Sequence, residues 1–309
     1  MSDYPLSPEL GAFVAKTLGF SYPDTSIRGL RAGYSAMCRA FTPPRPAGIN
    51  ISEHLIDQVP VRHYRPVSQP PATGWPCVLY LHGGGWVVGD LDSHDFITAE
   101  LASLLNAVVI AVDYRLAPEH PYPAAFEDCL AVWRGLQAGA ATWQLNPRRM
   151  AIAGDSAGGN LAAAVCLALR DAGQAQPRLQ ALIYPGLGGD DRLPSRTECA
   201  DAPLLNARDV HCYQALYLPT PGKPSAYAMP LQATDLHGLA PAFIAVAQFD
   251  PLRDDGVHYT GRLQAAGVAV DFHPGHGLVH GCLRARRMAP EVDLLYEKLL
   301  AALRRSLNL

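Results

Sequence analysis

Several features are missing from this chain, and each absence removes a class of function. No apolar run approaches the length a helix needs to cross a bilayer, so a membrane-spanning protein is not expected. The opening Met1-Ser2-Asp3-Tyr4-Pro5 lacks the charged and apolar regions of a secretory leader. Neither sign of charge dominates. The 25 basic and 28 acidic residues are well mixed and leave a net charge of −3, which argues against nucleic acid or an anionic membrane as the main partner. The seven cysteines (Cys38, Cys77, Cys129, Cys166, Cys199, Cys212, Cys282) are odd in number and scattered, with no C-x-x-C pair. They read as free buried thiols in a reducing compartment rather than as disulfides or metal ligands, and a cytoplasmic location follows. There is no G-x-x-x-x-G-K-[ST] segment, so a nucleotide reading finds no support. Internal repeats and low-complexity tracts are also absent.

What is present is a large, mostly apolar chain. Its 309 residues are 49% hydrophobic and 17% charged, the composition of a protein with a substantial core. Residues 1 to about 47 carry helical periodicity, with Leu6, Leu10, Phe13, Val14 and Leu18 on one face and a second amphipathic segment over about 24–41. Extended segments follow at 49–56 and 61–64. Continuous apolar runs at 77–81, 108–112, 150–153, 179–184, 242–246 and 268–272 read as strands, several of them buried on both faces. Helical patterns lie between them, at about 95–105, 124–136, 157–172 and 255–266, and a last one covers about 290–304. This alternation calls for an α/β fold with a mostly parallel sheet between helices. It lapses once, between Pro185 and about residue 239, where a single helical pattern near 207–218 stands among Gly and Pro. An insertion of that length between core strands reads as a lid or binding segment.

The chemistry centres on Gly154-Asp155-Ser156-Ala157-Gly158, a G-x-S-x-G turn between a buried strand and an alanine-rich helix. A side chain at Gly154 or Gly158 would collide where strand and helix come closest. The helix that opens at Ser156 points its first amides at whatever the serine attacks. Such a serine needs a base, an acid and oxyanion donors. His82-Gly83-Gly84-Gly85-Trp86, directly after the 77–81 run, brings bare backbone amides to a strand end and forms one half of an oxyanion hole; the Ala157 N–H forms the other. In the chain order serine, acid, histidine, the base must come late. His276 and His280 both lie in the loop beyond the last strand, and His280 is favoured because it sits beside Gly281, deepest in that loop. Asp250 is the first acid after the 242–246 strand and is the choice for the acid, while Asp254 and Asp255 read as N-cap and first-turn residues of the next helix.

Together these segments resemble the bacterial hormone-sensitive-lipase-like esterases, the family IV lipolytic enzymes of the α/β-hydrolase superfamily. The resemblance rests on His82-Gly83-Gly84-Gly85-Trp86, Asp113-Tyr114-Arg115-Leu116-Ala117-Pro118-Glu119, Gly154-Asp155-Ser156-Ala157-Gly158-Gly159-Asn160, Asp250-Pro251-Leu252-Arg253-Asp254 and His280-Gly281. It implies an eight-stranded sheet with one antiparallel strand. The catalytic domain would be residues 48–185 and 240–309, capped by the helices of 1–47 and the insertion 186–239. Ser156 becomes the nucleophile, His280 the base and Asp250 the acid. The oxyanion is then held by Ala157 and two of Gly83, Gly84 and Gly85, with Gly84 and Gly85 preferred. The activity implied is hydrolysis of short- to medium-chain carboxylic esters through an acyl-enzyme, with no metal or cofactor; amides, lactones and carbamates are the alternative for the same triad, and a non-catalytic small-molecule receptor the alternative from another class. The Asp113 segment and Glu119 look structural, tying loops beneath the site. Trp86 and the 207–218 helix either line the pocket or merely pack. Many members of the family dimerise through the last strand, which implies a homodimer here through 268–272. One position departs from the pattern: Cys282 stands where an aromatic residue usually follows His-Gly, so Cys282 is expected to alter the shape of the pocket.

Overall fold

In the computed structural model the apolar runs become strands and the helical patterns become helices, in the order the alternation requires. Residues 4–20, 24, 26–220 and 222–309 are described. Residues 1–3, which carry part of the leader reading, and Thr25, near the start of the second expected helix, lie outside the described residues. Helices α1 (Pro8–Leu18) and α2 (Ile27–Phe41) precede strands β1 (Ile49–Ile56), β2 (Val59–Pro66) and β3 (Trp75–Leu81). Then α3 (Asp95–Leu105), β4 (Val108–Val112), α4 (Ala124–Ala138), β5 (Leu145–Asp155), α5 (Ala157–Asp171) and β6 (Gln180–Ile183) alternate. The insertion carries α6 (Pro194–Glu198) and α7 (Ala207–Tyr217), and β7 (Ala242–Ala245), α8 (Arg253–Ala265), β8 (Val270–His273) and α9 (Pro290–Leu307) follow.

The eight strands form one sheet in the order β1-β2-β4-β3-β5-β6-β7-β8. Only β2 runs antiparallel to its neighbours. The central strands are largely apolar where both faces are covered, as in β3, β4 and the second half of β5. In β3, Leu79 and Leu81 pack with α4, α5 and α8, while Val78 and Tyr80 pack with α3, α9 and α1 on the opposite face. Helix α5 is buried from Ala157 to Leu169, and its alanines let it lie close on the sheet. The pattern of α1 is narrower than expected. Leu10, Phe13 and Val14 are buried, but Leu18 is 62% exposed.

Two sets of contacts fasten the non-sheet segments above the carboxyl ends of the strands. From α2, Arg31 donates to the carbonyls of Val87 (2.8 Å) and Ala117 (3.0 Å) and pairs with Glu119 at 2.7 Å. In the insertion, Arg196 pairs at 2.6 Å with Asp255, both buried, and also donates to the Pro251 carbonyl. Asp255 further accepts the amides of Leu187 (2.8 Å) and Gly189 (3.1 Å), and Asp254 accepts that of Ser195 at 2.8 Å. Asp254 and Asp255 therefore stand in the first turn of α8, as expected, but neither caps it. They hold the two ends of the insertion's first segment, and Leu252 is at the N-cap.

One strand residue makes stability depend on pH. His63 of β2 is buried and its Nε2 has no partner among the described residues. Burial, reinforced by the nearby His54 and Arg65, pushes its imidazole from 6.5 down to about 4. The unfolded chain takes up this proton below about 6.5 and the folded chain only near 4, so the contribution to stability is full above that window and lost as pH falls through it. His63→Gln is expected to reduce proton uptake on unfolding by up to about one proton between those limits, read from the slope of unfolding free energy against pH. An unchanged slope would contradict this assignment.

Candidate active site

The site begins where β5 meets α5. Ser156 lies between them with φ 55° and ψ −118°, a left-handed conformation that a non-glycine residue adopts at a cost. Its backbone is pinned on both sides: its N–H donates to the Ile183 carbonyl at 2.8 Å, and its carbonyl accepts from Asn160 (3.1 Å) and Gly186 (3.3 Å). The turn can be this tight only because its flanks lack side chains. A Cβ at Gly158 would strike the Leu81 carbonyl at the end of β3, and one at Gly154 would strike Gly158 itself.

Asp250 and His280, the expected acid and base, are brought together by the continuation of two strands. Past the ends of β7 and β8 the chains pair once more in a parallel bridge between Phe249 and Val279, with the Phe249 amide donating to the Leu278 carbonyl at 3.0 Å. The next residues on the two chains are Asp250 and His280. Asp250 is fully buried; its Oδ1 accepts the Leu252 amide at 2.7 Å and its Oδ2 accepts from His280 Nδ1 at 2.7 Å. A carboxylate only accepts, so the histidine proton is on Nδ1. That leaves Nε2 with its lone pair towards Ser156 Oγ, 2.9 Å away. His276, the competing histidine, is exposed on the surface.

The glycine loop meets Ser156 from the end of β3. Gly84 and Gly85 have φ of 129° and 58° and line the same cleft as Ser156, and among the described residues neither amide has a partner. Gly83 differs. Its N–H donates to Asp155 Oδ1 at 3.1 Å, so it is not free to receive an oxyanion. Asp155 is buried and anchors the loop. Its Oδ1 also accepts from Tyr80 Oη at 2.8 Å, and its Oδ2 accepts from His94 Nε2 at 3.3 Å. Burial opposes ionisation of Asp155, but His94 and Tyr80, with the nearby Arg284 cation, outweigh it and hold the carboxyl below its ordinary range. His82 at the head of the loop stacks on Tyr114 with ring centres 4.2 Å apart, and Tyr114 donates to the His82 carbonyl at 2.6 Å. Burial, with His94 close by, pushes His82 down to about 4, leaving it neutral at ordinary pH. Tyr114, and Glu119 through Arg31, thus hold loops beneath and beside the site, as the sequence suggested.

A cleft of about 290 Å³ opens over Ser156. Its walls come from α1 and α2 on one side and from α7 and Leu252 on the other. Trp86 both lines it and packs: its ring lies flat on that of Tyr217, 4.3 Å away. Helix α7 likewise does both, with Tyr213 against Gly85 in the wall and Tyr217 buried behind it. Cys282 does not line the cleft. Gly281 turns with φ 71°, which sends the Cys282 side chain into the core below, fully buried. The expectation that Cys282 itself shapes the pocket is corrected accordingly; its neighbours Leu283 and Arg284 are in the wall. Sequence reasoning also passed over Asp155, Tyr80, His94, Tyr34 and Arg284. Among the described residues no group of side chains has the makings of a metal site, and no helix is long and apolar enough to cross a membrane.

A serine on a strained strand-to-helix turn, with its histidine and acid from later strand ends, defines an α/β hydrolase. A family profile described as alpha/beta hydrolase fold matches residues 78–284, and the chain belongs to that family. Esterase LipI of Mycobacterium tuberculosis is 44% identical over 253 residues, covering 79% of this chain and 77% of LipI. Carboxylesterase NlhH of the same organism is 38% identical over 301 residues, covering 94% of this chain and 93% of NlhH. A solved esterase of the bacterial hormone-sensitive-lipase family superposes with a TM-score of 0.88 at 29% identity, covering 98% of this chain and all of the other. The likeness to that group of esterases is thereby borne out.

The approach of α5 to β3 gives a direct stability test. Gly158→Ala is expected to cost at least about 1–3 kcal/mol in denaturant unfolding, because the new methyl must displace the end of β3. Gly11→Ala in α1, where a Cβ meets nothing within 4 Å, is expected to be neutral or slightly stabilising. Equal effects at the two positions would contradict the close-approach argument.

Proposed function

We propose that this protein is a serine carboxylesterase that hydrolyses short- to medium-chain carboxylic esters through an acyl-enzyme. The observation that carries the reading is the continuous hydrogen-bonded line Asp250–His280–Ser156 ending in a cleft. His280 Nε2 takes the Ser156 proton as Oγ attacks the ester carbonyl, and Asp250 stabilises the imidazolium that forms. The developing oxyanion falls to the amides of Gly84, Gly85 and Ala157, donors that have no partner among the described residues. His280 then gives its proton to the leaving alkoxide. Water enters, is deprotonated in the same way, and releases the acid.

The cleft volume lies at the small end of what small-molecule sites occupy, which supports esters with short or medium limbs. We assign the cap to α1, α2 and the 186–239 insertion, since residues from both segments face the cleft above Ser156. Six of the seven cysteines are buried and all seven are unpaired, which supports action in a reducing compartment, the cytoplasm. The last strand of the sheet, β8, has Phe272 37% exposed, and we place the homodimer contact along this edge.

A phosphonate ester is expected to label Ser156 once per chain, detected by mass spectrometry, and Ser156→Ala to abolish turnover of short acyl esters. Labelling at another residue, or normal activity in the alanine variant, would refute the reading. Asp250→Asn should leave the fold intact and lower kcat by about 10⁴-fold. The carboxamide would present its NH₂ to His280 Nδ1 and move the imidazole proton to Nε2, where it blocks acceptance from Ser156. A panel of matched butyrate esters, amides and lactones fixes the leaving-group class, with ester turnover expected to dominate.

A further inference from the structure

One charged side chain in the cleft has no role in the relay. Arg284 follows His280 by four residues, in the short turn Cys282–Ala285, and lines the same cleft as Ser156 on the side under α2. It is 7% exposed. Its Nη1 donates to the Ser93 carbonyl at 2.7 Å and its Nη2 to Tyr34 Oη at 3.1 Å. The guanidinium carbon lies 4.7 Å from the centre of the Phe96 ring and 5.5 Å from that of Tyr34. These contacts fix its plane but leave donors over, because a guanidinium carries more N–H groups than two bonds use. Nε in particular has no hydrogen-bond partner among the described residues.

The surroundings make this unusual. No carboxylate pairs with Arg284 among the described residues. Asp155, the carboxylate whose charge acts on it, has one oxygen taken by Tyr80 and the Gly83 amide and the other by His94. The rest of this wall is largely apolar, with Phe13, Met37, Val88 and Phe96 beside Thr17, Tyr34 and His94. A buried cation with spare donors in an apolar wall is an unfavourable arrangement unless something accepts from it. Arg284 is also held stiffly, which is what a recognition group needs.

We propose that Arg284 is a specificity-determining residue: it receives an acceptor oxygen on the substrate limb that lies under α2, so the preferred substrates are esters bearing a second carbonyl or carboxylate a few atoms from the scissile bond. This rests on the esterase reading above and adds the class of ester. The guanidinium takes no part in bond making; it lowers KM for a limb that can accept its N–H groups and leaves a purely aliphatic limb beside unpaired donors.

Matched substrates test it on the full-length protein. For the acyl limb these are methyl valerate, methyl levulinate and monomethyl succinate; for the alcohol limb, pentyl acetate and ethylene glycol diacetate. In the wild type, at least one oxygen-bearing ester is expected to exceed its aliphatic partner in kcat/KM by about tenfold or more, through KM. Arg284→Met should erase that ratio and Arg284→Lys should restore part of it. A wild-type ratio near one on both limbs overturns the proposal without any variant. So does a Met variant that loses activity equally on oxygen-bearing and aliphatic esters, since that is the mark of a structural role. Failure of the wild type to hydrolyse any of these esters would instead count against the esterase reading, so the two failures are told apart.

Discussion

Everything at the site depends on how closely the first turn of α5 comes to the end of β3. Gly158 lies so near the Leu81 carbonyl that no side chain fits between them. This contact fixes the sharp turn in which Ser156 is held at φ 55°. It also places the glycine loop that leaves β3 alongside the first amides of α5. Ser156 and the amides proposed to hold the oxyanion are thus positioned by one backbone contact. Two central strands, β3 and β5, deliver them; β3 is buried throughout and β5 is buried from Met150 to Asp155. The strain at Ser156 is sustained by the rigidity of that core.

A second constraint comes from electrostatics inside the loop. Asp155 is a buried carboxylate that takes hydrogen bonds from Tyr80, Gly83 and His94. By engaging the Gly83 amide it pins the glycine loop at its root and leaves Gly84 and Gly85 to face the cleft. The loop is fastened again at Tyr114 and, through Arg31, to α2. Helix α2 is therefore mechanically coupled to the glycine loop. A change in how α2 sits would be felt first at Val87 and then at the glycines before it.

Much of this was legible in the sequence, for physical reasons. Ser156, Gly84, Gly85, Asp250 and His280 each stand just beyond an apolar run, and parallel strands bring such positions to one end of a sheet. His280, preferred to His276, is the one that stands in line with Ser156 and Asp250, although the feature that brings it there, the Phe249–Val279 bridge, leaves no pattern in sequence. What sequence could not supply was direction. Cys282 follows His280 by two residues, yet the left-handed turn at Gly281 points it away from the cleft and brings Arg284 into it. Partners far apart in sequence were equally hidden. Nothing local reveals that Asp255 anchors an insertion through Arg196, or that His94 and Tyr80 share Asp155. Gly83, indistinguishable from its neighbours as a letter, is set apart only by its bond to that carboxylate.

The central claim is that preorganised amides of Gly84, Gly85 and Ala157, and not Gly83, hold the charge that develops when Ser156 attacks. A crystal structure of the adduct with a short alkyl phosphonate tests it most directly. The account predicts phosphorus on Ser156 Oγ, with one phosphonyl oxygen about 2.7–3.1 Å from those three amides and the Gly83 amide still on Asp155. A phosphonyl oxygen turned to solvent, or bonded to Gly83 after release of Asp155, would contradict it.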